Sequence, residues 1–297
     1  MSMSEIQGLL RDVGHRIGPS VVGVGQRRGR GSGVIVAPGR VLTNAHNVRG
    51  DEATVGSAGG SSAPARVLGA DLDADIAVLA VDEDAGPALQ WGDGGAAATG
   101  QLVVALTNPG GAGLRVTHGF VSSTERNFRG PRNRRIGGSI EHTAPLVRGS
   151  SGGPIVDVEG RLLGINTNRL GEGFYLAIPA DQSFRERVAA LSRGESPQTP
   201  RLGVGLAPAE VGRRLRRAVG LPEADGLLVR FVEEGSPAAR AGVMQGDLVT
   251  EVAGRPVGSA DDLYESLDSA GRSLELKLVR GAEEIGATVR FDGGEGG

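Results

Sequence analysis

Gly149-Ser150-Ser151-Gly152-Gly153-Pro154 puts a serine in a glycine-rich turn, just before the apolar run Ile155-Val156. A hydroxyl alone is a poor nucleophile. It needs a base to take its proton and a third group to orient the base. His46 closes Thr43-Asn44-Ala45-His46, after the apolar runs Val34-Ile35-Val36 and Val41-Leu42. Asp75 opens another run, Ile76-Ala77-Val78-Leu79. Acyl transfer requires this set, with Ser151 attacking, His46 as general base and Asp75 fixing the tautomer and stabilising the imidazolium. The N–H groups of Gly149 and Ser151 are candidates to hold the developing oxyanion. Gly149 permits backbone geometry that a Cβ would penalise, and Gly152 and Gly153 allow close approach of the substrate.

Other chemistries fit less well. Asp71-x-Asp73-x-Asp75 has the spacing of a calcium loop, but Ile76 stands at the sixth position and Asp82 at the twelfth, where Gly and Glu are needed. There is no cysteine, which excludes disulfides, thiolate catalysis and Cys-ligated metal centres. No metal and no cofactor is expected. His15, His118 and His142 read as surface or structural residues.

These side chains must be held by strands. The chain has 297 residues, enough for two domains. Fifty-one glycines and only 3% aromatics imply tight turns and short strands. Strands are expected at 21–24, 33–37, 41–43, 66–70, 76–81, 102–106, 114–120, 154–157, 162–167 and 174–178. Many short strands in series argue for barrels or sandwiches. A split into two barrels falls at 91–101. A helix is expected over 4–16, with Ser4 and Gln7 as its capping box, and another over 181–191. Ser192 to Pro200 reads as a linker. Beyond it come strands at 201–206, 226–232, 248–252, 274–279 and 285–291, and helices at 209–219, 237–241 and 260–270.

The net charge of −3 gives no general attraction to nucleic acid or anionic membrane. No apolar run approaches the length of a transmembrane span. Met1 to Ile6 lacks the basic and apolar regions of a signal peptide, so the sequence reads as cytoplasmic. The alternative is a periplasmic or other extracytoplasmic protein supplied in mature form.

At this point a resemblance becomes visible. Gly31-Ser32-Gly33-Val34-Ile35-Val36 with Val41 to His46 is similar to the histidine region of the HtrA/Deg serine proteases. Asp75-Ile76-Ala77-Val78-Leu79 resembles their aspartate segment, and Arg148 to Pro154 their nucleophile loop. Leu163 to Thr167 and Gly173 to Pro179 match the two segments that follow. The resemblance covers residues 18–290. It implies a mainly β fold, a trypsin-like double β-barrel followed by a small α+β PDZ domain. It also implies endopeptidase activity on unfolded or misfolded protein without ATP or cofactor. On this chain it makes His46 the base, Asp75 the orienting acid and Ser151 the nucleophile, with Gly149 and Ser151 as the oxyanion hole.

The expected organisation is an N-terminal helical segment at 1–17, a protease domain at 18–191, a linker at 192–200, a PDZ domain at 201–292 and a flexible tail at 293–297. The chain departs from the family pattern at Ser150, where Asn is usual. It departs again at Asn47, where an apolar residue is usual, and at His142-Thr143, where Thr-Asp is usual. The first helix also lacks the aromatics through which relatives trimerise, although a homo-oligomer, foremost a trimer, remains the expectation.

By the family's arrangement the S1 pocket is lined by Leu146 and by Ile165, Asn166, Thr167 and Asn168. No acidic residue stands near Pro145, so a cationic P1 side chain would lack a counter-charge, and cleavage after Val, Ala, Leu or Ile is expected. Ser123 to Ile140 carries Arg126, Arg129, Arg132, Arg134 and Arg135 beside Phe128. It reads as a solvated loop, and the resemblance gives it a regulatory role. Val211 to Arg217 reads as an exposed basic helical face with Leu215 inward.

Arg201-Leu202-Gly203-Val204-Gly205 resembles a PDZ carboxylate-binding loop, and the strand after it could pair with an extended peptide. Leu202, Gly203, Val204 and Leu206 are expected to form the groove with Leu263 and Leu267. The expected partners are unfolded polypeptides and hydrophobic C-terminal peptides, not nucleic acid. The competing reading is a catalytically latent peptide-binding chaperone or scaffold.

Overall fold

The computed structural model describes residues 2–26, 29–57, 59–82, 85–130, 135–171, 173–197 and 200–291. Arg132, Arg134 and the tail at 293–297 lie outside them, as does the side chain of Asn168. The chain divides into two compact units, Met1–Pro197 and Gln198–Gly297.

The first unit opens with helix α1, Met3–Ile17. Its capping box is Ser2 with Glu5, not Ser4 with Gln7. Ser2 Oγ accepts from the Glu5 N–H at 3.3 Å, and the Glu5 carboxylate receives the Ser2 N–H at 2.6 Å. A glutamate closes this reciprocal bond with full charge at the positive end of the helix. α1 is not a detached segment, since Val13 and Ile17 are buried in the core of the unit.

Among the described residues twelve antiparallel strands follow. β1 (Val21–Gln26), β2 (Gly29–Ala37), β3 (Arg40–Thr43), β4 (Glu52–Gly56), β5 (Ser62–Asp71) and β6 (Ile76–Ala80) close in the order β1-β2-β3-β6-β5-β4. The second set is β7 (Leu102–Thr107), β8 (Arg115–Arg129), β9 (Arg135–His142), β10 (Pro154–Val156), β11 (Leu162–Gly171) and β12 (Phe174–Pro179). It closes as β10-β11-β12-β9-β8-β7. The fold is therefore mainly β, with two six-stranded barrels.

Period-two alternation builds two kinds of core. Val22, Val24, Ile35, Val41 and Leu79 fill the first barrel, and Val103, Ala105, Ile140, Ile155 and Leu163 fill the second. Their strand neighbours point outward to a shared cluster, in which Val21, Leu42, Ile76 and Val78 meet Val104, Leu106, Val156 and Ile165. Successive side chains on a strand face opposite sides, so one strand serves both cores. The barrels approach so closely that a Cβ on Gly23 would lie 1.8 Å from the Gly111 nitrogen.

Helix α2, Gln182–Ser192, is capped by Asp181, which accepts from the Phe184 N–H at 2.8 Å. Phe184, Val188 and Leu191 share one face and enter the shared cluster.

The arginine-bearing stretch is not a solvated loop. It is the hairpin of β8 and β9, paired from Val121↔His142 to Arg129↔Arg135 with three register shifts along the way. Arg126 pairs with Glu141 at 2.7 Å, and Phe128 is buried in the shared cluster. Backbone pairing and one aromatic anchor override the polar composition.

The second unit is a sheet in the order β13-β14-β15-β17-β18, with the two-residue β16 beside β15. Its strands are β13 (Val204–Ala207), β14 (Leu227–Val232), β15 (Leu248–Val252), β16 (Arg255–Pro256), β17 (Ser273–Arg280) and β18 (Glu283–Arg290). Its helices are α3 (Ala209–Ala218), α4 (Pro237–Arg240) and α5 (Ala260–Asp268). Leu274, Leu276 and Leu278 of β17 face the core with Leu227, Val229 and Val249.

On α3 the expected facing is reversed. Leu215 is exposed, while Arg216 is buried and donates to the carbonyls of Pro222 and Gly281 at 2.9 and 3.0 Å. A guanidinium can be buried when its N–H groups find acceptors, and its stem supplies apolar packing.

Candidate active site

The site lies where the two barrels meet. His46 sits on a short 3-10 turn, Ala45–Asn47, directly after β3. Asp75 sits in the turn between β5 and β6, with φ 56°, a left-handed conformation that aspartate tolerates better than most residues. Asn44 Nδ2 holds the Asp75 carbonyl at 2.8 Å. Upstream, Asp71 Oδ1 accepts the N–H groups of Asp73 and Ala74 at 2.9 and 3.0 Å, and Arg187 of α2 pairs with its other oxygen. The Asp71 carboxylate thus braces the turn that presents Asp75.

The Asp75 carboxylate is 1% exposed, so its acceptor sites must be filled from within the protein. His46 Nδ1 lies 3.0 Å from Oδ1 and 2.9 Å from Oδ2. The His46 backbone N–H donates to Oδ1 at 3.1 Å. The Thr167 hydroxyl donates to Oδ2 at 2.9 Å. This carboxylate fixes the proton on Nδ1 and leaves Nε2 as the basic nitrogen.

Ser151 follows the turn at Gly149, where φ is 90°. Its Oγ donates to the Thr167 carbonyl at 2.8 Å. The carbonyl of Gly149 is held by the Ser32 hydroxyl at 2.9 Å. Among the described residues, no acceptor engages the N–H of Gly149 or of Ser151. Two unspent donors thus stand at the nucleophile, its own N–H and that of the residue two before it, while the Ser150 N–H between them is held by the Val147 carbonyl.

The residues expected to line the substrate pocket divide. Leu146 is half-buried against the second barrel's core. Thr167 is taken up by Asp75 and Ser151. Ile165 is wholly buried in the shared cluster and offers no surface to a ligand, because its strand is covered on that face by the first barrel. Asn166 is also wholly buried. Its Nδ2 donates to the Gly153 carbonyl at 2.9 Å, and its Oδ1 receives His142 Nε2 at 2.9 Å. His142 stacks on Tyr175 with ring centroids 5.9 Å apart. Burial pushes its pKa down to about 4, against a smaller opposing effect of the bond to Asn166.

In the second unit Gly203 has φ 76°, and a Cβ there would meet the Ser236 Cβ at 2.3 Å. No acceptor among the described residues engages the N–H groups of Leu202 or Gly203. Among the described residues β13 is an edge strand, paired with β14 alone. Leu202, Leu263 and Leu267 are each 4% exposed, and Val204 and Leu206 pack half-buried against them.

Some supporting residues escaped the sequence reading. Ser32, Thr43 and Asn44 brace the site through side-chain bonds that no spacing rule reveals. The one available signal was a polar residue, Asn47, in an otherwise apolar position.

A double barrel with His46, Asp75 and Ser151 at its seam defines a trypsin-like peptidase fold. A family model of the trypsin-like peptidase domain matches residues 31–165, and one of the PDZ domain matches residues 228–280. The chain is 36% identical over 273 residues to a probable periplasmic serine endoprotease DegP-like of Halomonas elongata, covering 89% of this chain and 56% of that protein. It thus spans little more than half of that relative's length. It is 33% identical to the putative serine protease HhoB of Synechocystis, covering 89% of this chain and 67% of that protein. Among solved structures, the HtrA-type protease AlgW with decapeptide matches with TM-score 0.64 and 25% identity, over 95% of this chain and 97% of that one. A serine endoprotease from Yersinia pestis matches with TM-score 0.63 and 26% identity, over 95% and 96%. The chain belongs to the HtrA/Deg family of serine proteases with a PDZ domain.

Proposed function

We propose that this chain is an ATP-independent serine endopeptidase that cleaves unfolded or misfolded polypeptides and binds hydrophobic C-terminal peptides through its PDZ domain. His46 acts as general base, Asp75 as its orienting acid and Ser151 as nucleophile. The N–H groups of Gly149 and Ser151 receive the oxyanion. The observation that carries this reading is the Asp75 carboxylate, buried and doubly engaged with His46 at 2.9–3.1 Å. A buried carboxylate facing one imidazole nitrogen leaves the other free to accept the serine proton.

In the resting arrangement the Ser151 proton is given to the Thr167 carbonyl. Attack requires the hydroxyl to turn to His46 Nε2. Ser151 Oγ then bonds to the scissile carbonyl carbon, and its proton passes through His46 to the leaving amine. Water repeats the sequence to release the acyl group.

The free edge of β13 and the unengaged N–H groups of Leu202 and Gly203 suit an extended peptide ending in a carboxylate. Such a peptide is expected to raise the cleavage rate by shifting the nucleophile loop toward its reactive arrangement.

Casein digestion at neutral pH tests the reading. Wild-type protein should release peptides, and Ser151→Ala should lose about 10⁴–10⁶-fold in rate while keeping its fold. Suppression of aggregation without any Ser151-dependent cleavage would favour the chaperone alternative.

A further inference from the structure

The carbonyl of Ser151 itself is held by the first barrel. It accepts the Ser32 N–H at 2.8 Å and Asn47 Nδ2 at 2.9 Å, so both of its lone pairs are engaged. Asn47 is fixed in turn by a second bond, from Nδ2 to Thr43 Oγ1 at 3.0 Å. Thr43 Oγ1 donates to the Ser32 carbonyl at 2.7 Å. The N–H on the other side of the same peptide group, that of Gly152, donates to the Asn166 carbonyl of the second barrel at 2.8 Å.

One peptide plane is therefore gripped from both barrels. Asn47 belongs to the turn that carries His46, so its bond ties base and nucleophile across the seam. There is little slack around it. A Cβ on Gly31 would lie 2.4 Å from the Asn47 amide, and one on Gly152 would lie 2.0 Å from the Ser32 carbonyl and 3.1 Å from Asn47 Nδ2.

We propose that Asn47 is a positioning residue for Ser151. Its amide locks the Ser151–Gly152 peptide plane and so fixes the direction of the nucleophile's Cα–Cβ bond relative to His46. An apolar side chain at this place would leave one lone pair of the Ser151 carbonyl unengaged and permit the plane to rock. A small angular error at the nucleophile lowers the population of attack-ready geometry without changing how substrate is bound. This inference rests on the proposed role of Ser151.

The test compares wild type, Asn47→Leu and Asn47→Asp, both close to asparagine in size. Leucine removes the donor, and aspartate turns an acceptor toward a carbonyl. Each protein is titrated with a fluorophosphonate to count reactive sites. Its kcat and KM are then measured per titrated site on a short apolar chromogenic peptide. In both variants kcat and the fluorophosphonate inactivation rate should fall together, roughly tenfold for leucine and further for aspartate, with KM within about twofold of wild type. Either variant that folds decides the matter. A variant whose kcat per titrated site equals that of wild type, whatever its melting temperature, overturns the proposal. Wild-type protein that neither reacts with the fluorophosphonate nor hydrolyses peptide would instead overturn the proposed function, and that result is distinct.

Discussion

Ser151 and Thr167 are joined by a 2.8 Å hydrogen bond in which the serine hydroxyl donates to the threonine carbonyl. The hydroxyl of the same threonine donates to Asp75 at 2.9 Å. Thr167 thus touches both ends of the proposed catalytic relay. Thr167→Val keeps shape and carbonyl but removes the donor to the carboxylate. A hydrogen bond to a buried charge contributes about 1.5–3 kcal/mol, so kcat on an apolar peptide should fall roughly 10- to 100-fold with little change in KM. Steady-state kinetics on the purified variant measures this, and an unchanged kcat would remove Thr167 from the relay.

His142 makes stability depend on pH. Its pKa is 6.5 when exposed in the unfolded chain and about 4 when buried. Between those values the unfolded chain holds a proton that the folded chain does not, so acid favours unfolding. The contribution of the neutral imidazole is complete above about pH 6.5, declines as pH falls and levels off below about pH 4. Its size is a few kcal/mol. Thermal melts from pH 7.5 to 4 should show a falling melting temperature, and His142→Gln should flatten that fall. Parallel curves for the two proteins would contradict this account.

Cleavage should follow small or medium apolar residues. Glu141, the acid nearest in sequence to this region, is engaged by Ser122 at 2.8 Å and by Arg126 at 2.7 Å. A cationic P1 group would lose hydration without gaining a partner. Peptides with Val or Ala at P1 should exceed those with Arg by about 100-fold or more in kcat/KM. A preference for Arg in a P1 library would refute this.

Gly203 provides a handle on the PDZ groove. Gly203→Val forces a branched side chain into a left-handed backbone and onto Ser236. Affinity for a fluorescent peptide ending in an apolar residue should drop at least about tenfold by anisotropy. Retained affinity would place the peptide elsewhere.

How much of this was legible in sequence varies by element. The two barrels were readable from runs such as Val41-Leu42 and Ile76 to Leu79, which lie between punctuating Gly, Asn and Asp residues. β4 was not, because in Glu52-Ala53-Thr54-Val55-Gly56 the strand formers Thr54 and Val55 are flanked by residues depleted in strands. The length of the β8–β9 hairpin was hidden by arginine, serine and glycine, whose composition says loop while their backbones pair. Phe128 was the visible clue. Residues of the proposed relay stood out because their types are chemically distinctive. The braces did not, since a serine or asparagine that satisfies a backbone carbonyl looks like any other polar residue until the chain is folded. Arg216 and Leu215 exchanged places for the same reason. Hydrophobicity ranks leucine first, but two carbonyls waiting beneath α3 reverse the order.

Closure of both barrels bears on a hazard specific to a protein that would keep company with denatured chains. Within each closed barrel the strands present no ladder onto which sticky, extended segments could template growth, and the part of the β8–β9 hairpin that runs past the barrel is broken by register shifts and carries Arg126, Arg129 and Arg135. What remains open is short or armoured. β13 is four residues long, and β18 carries Glu283, Glu284 and Arg290. Such a molecule could handle aggregation-prone material without seeding a fibril on itself.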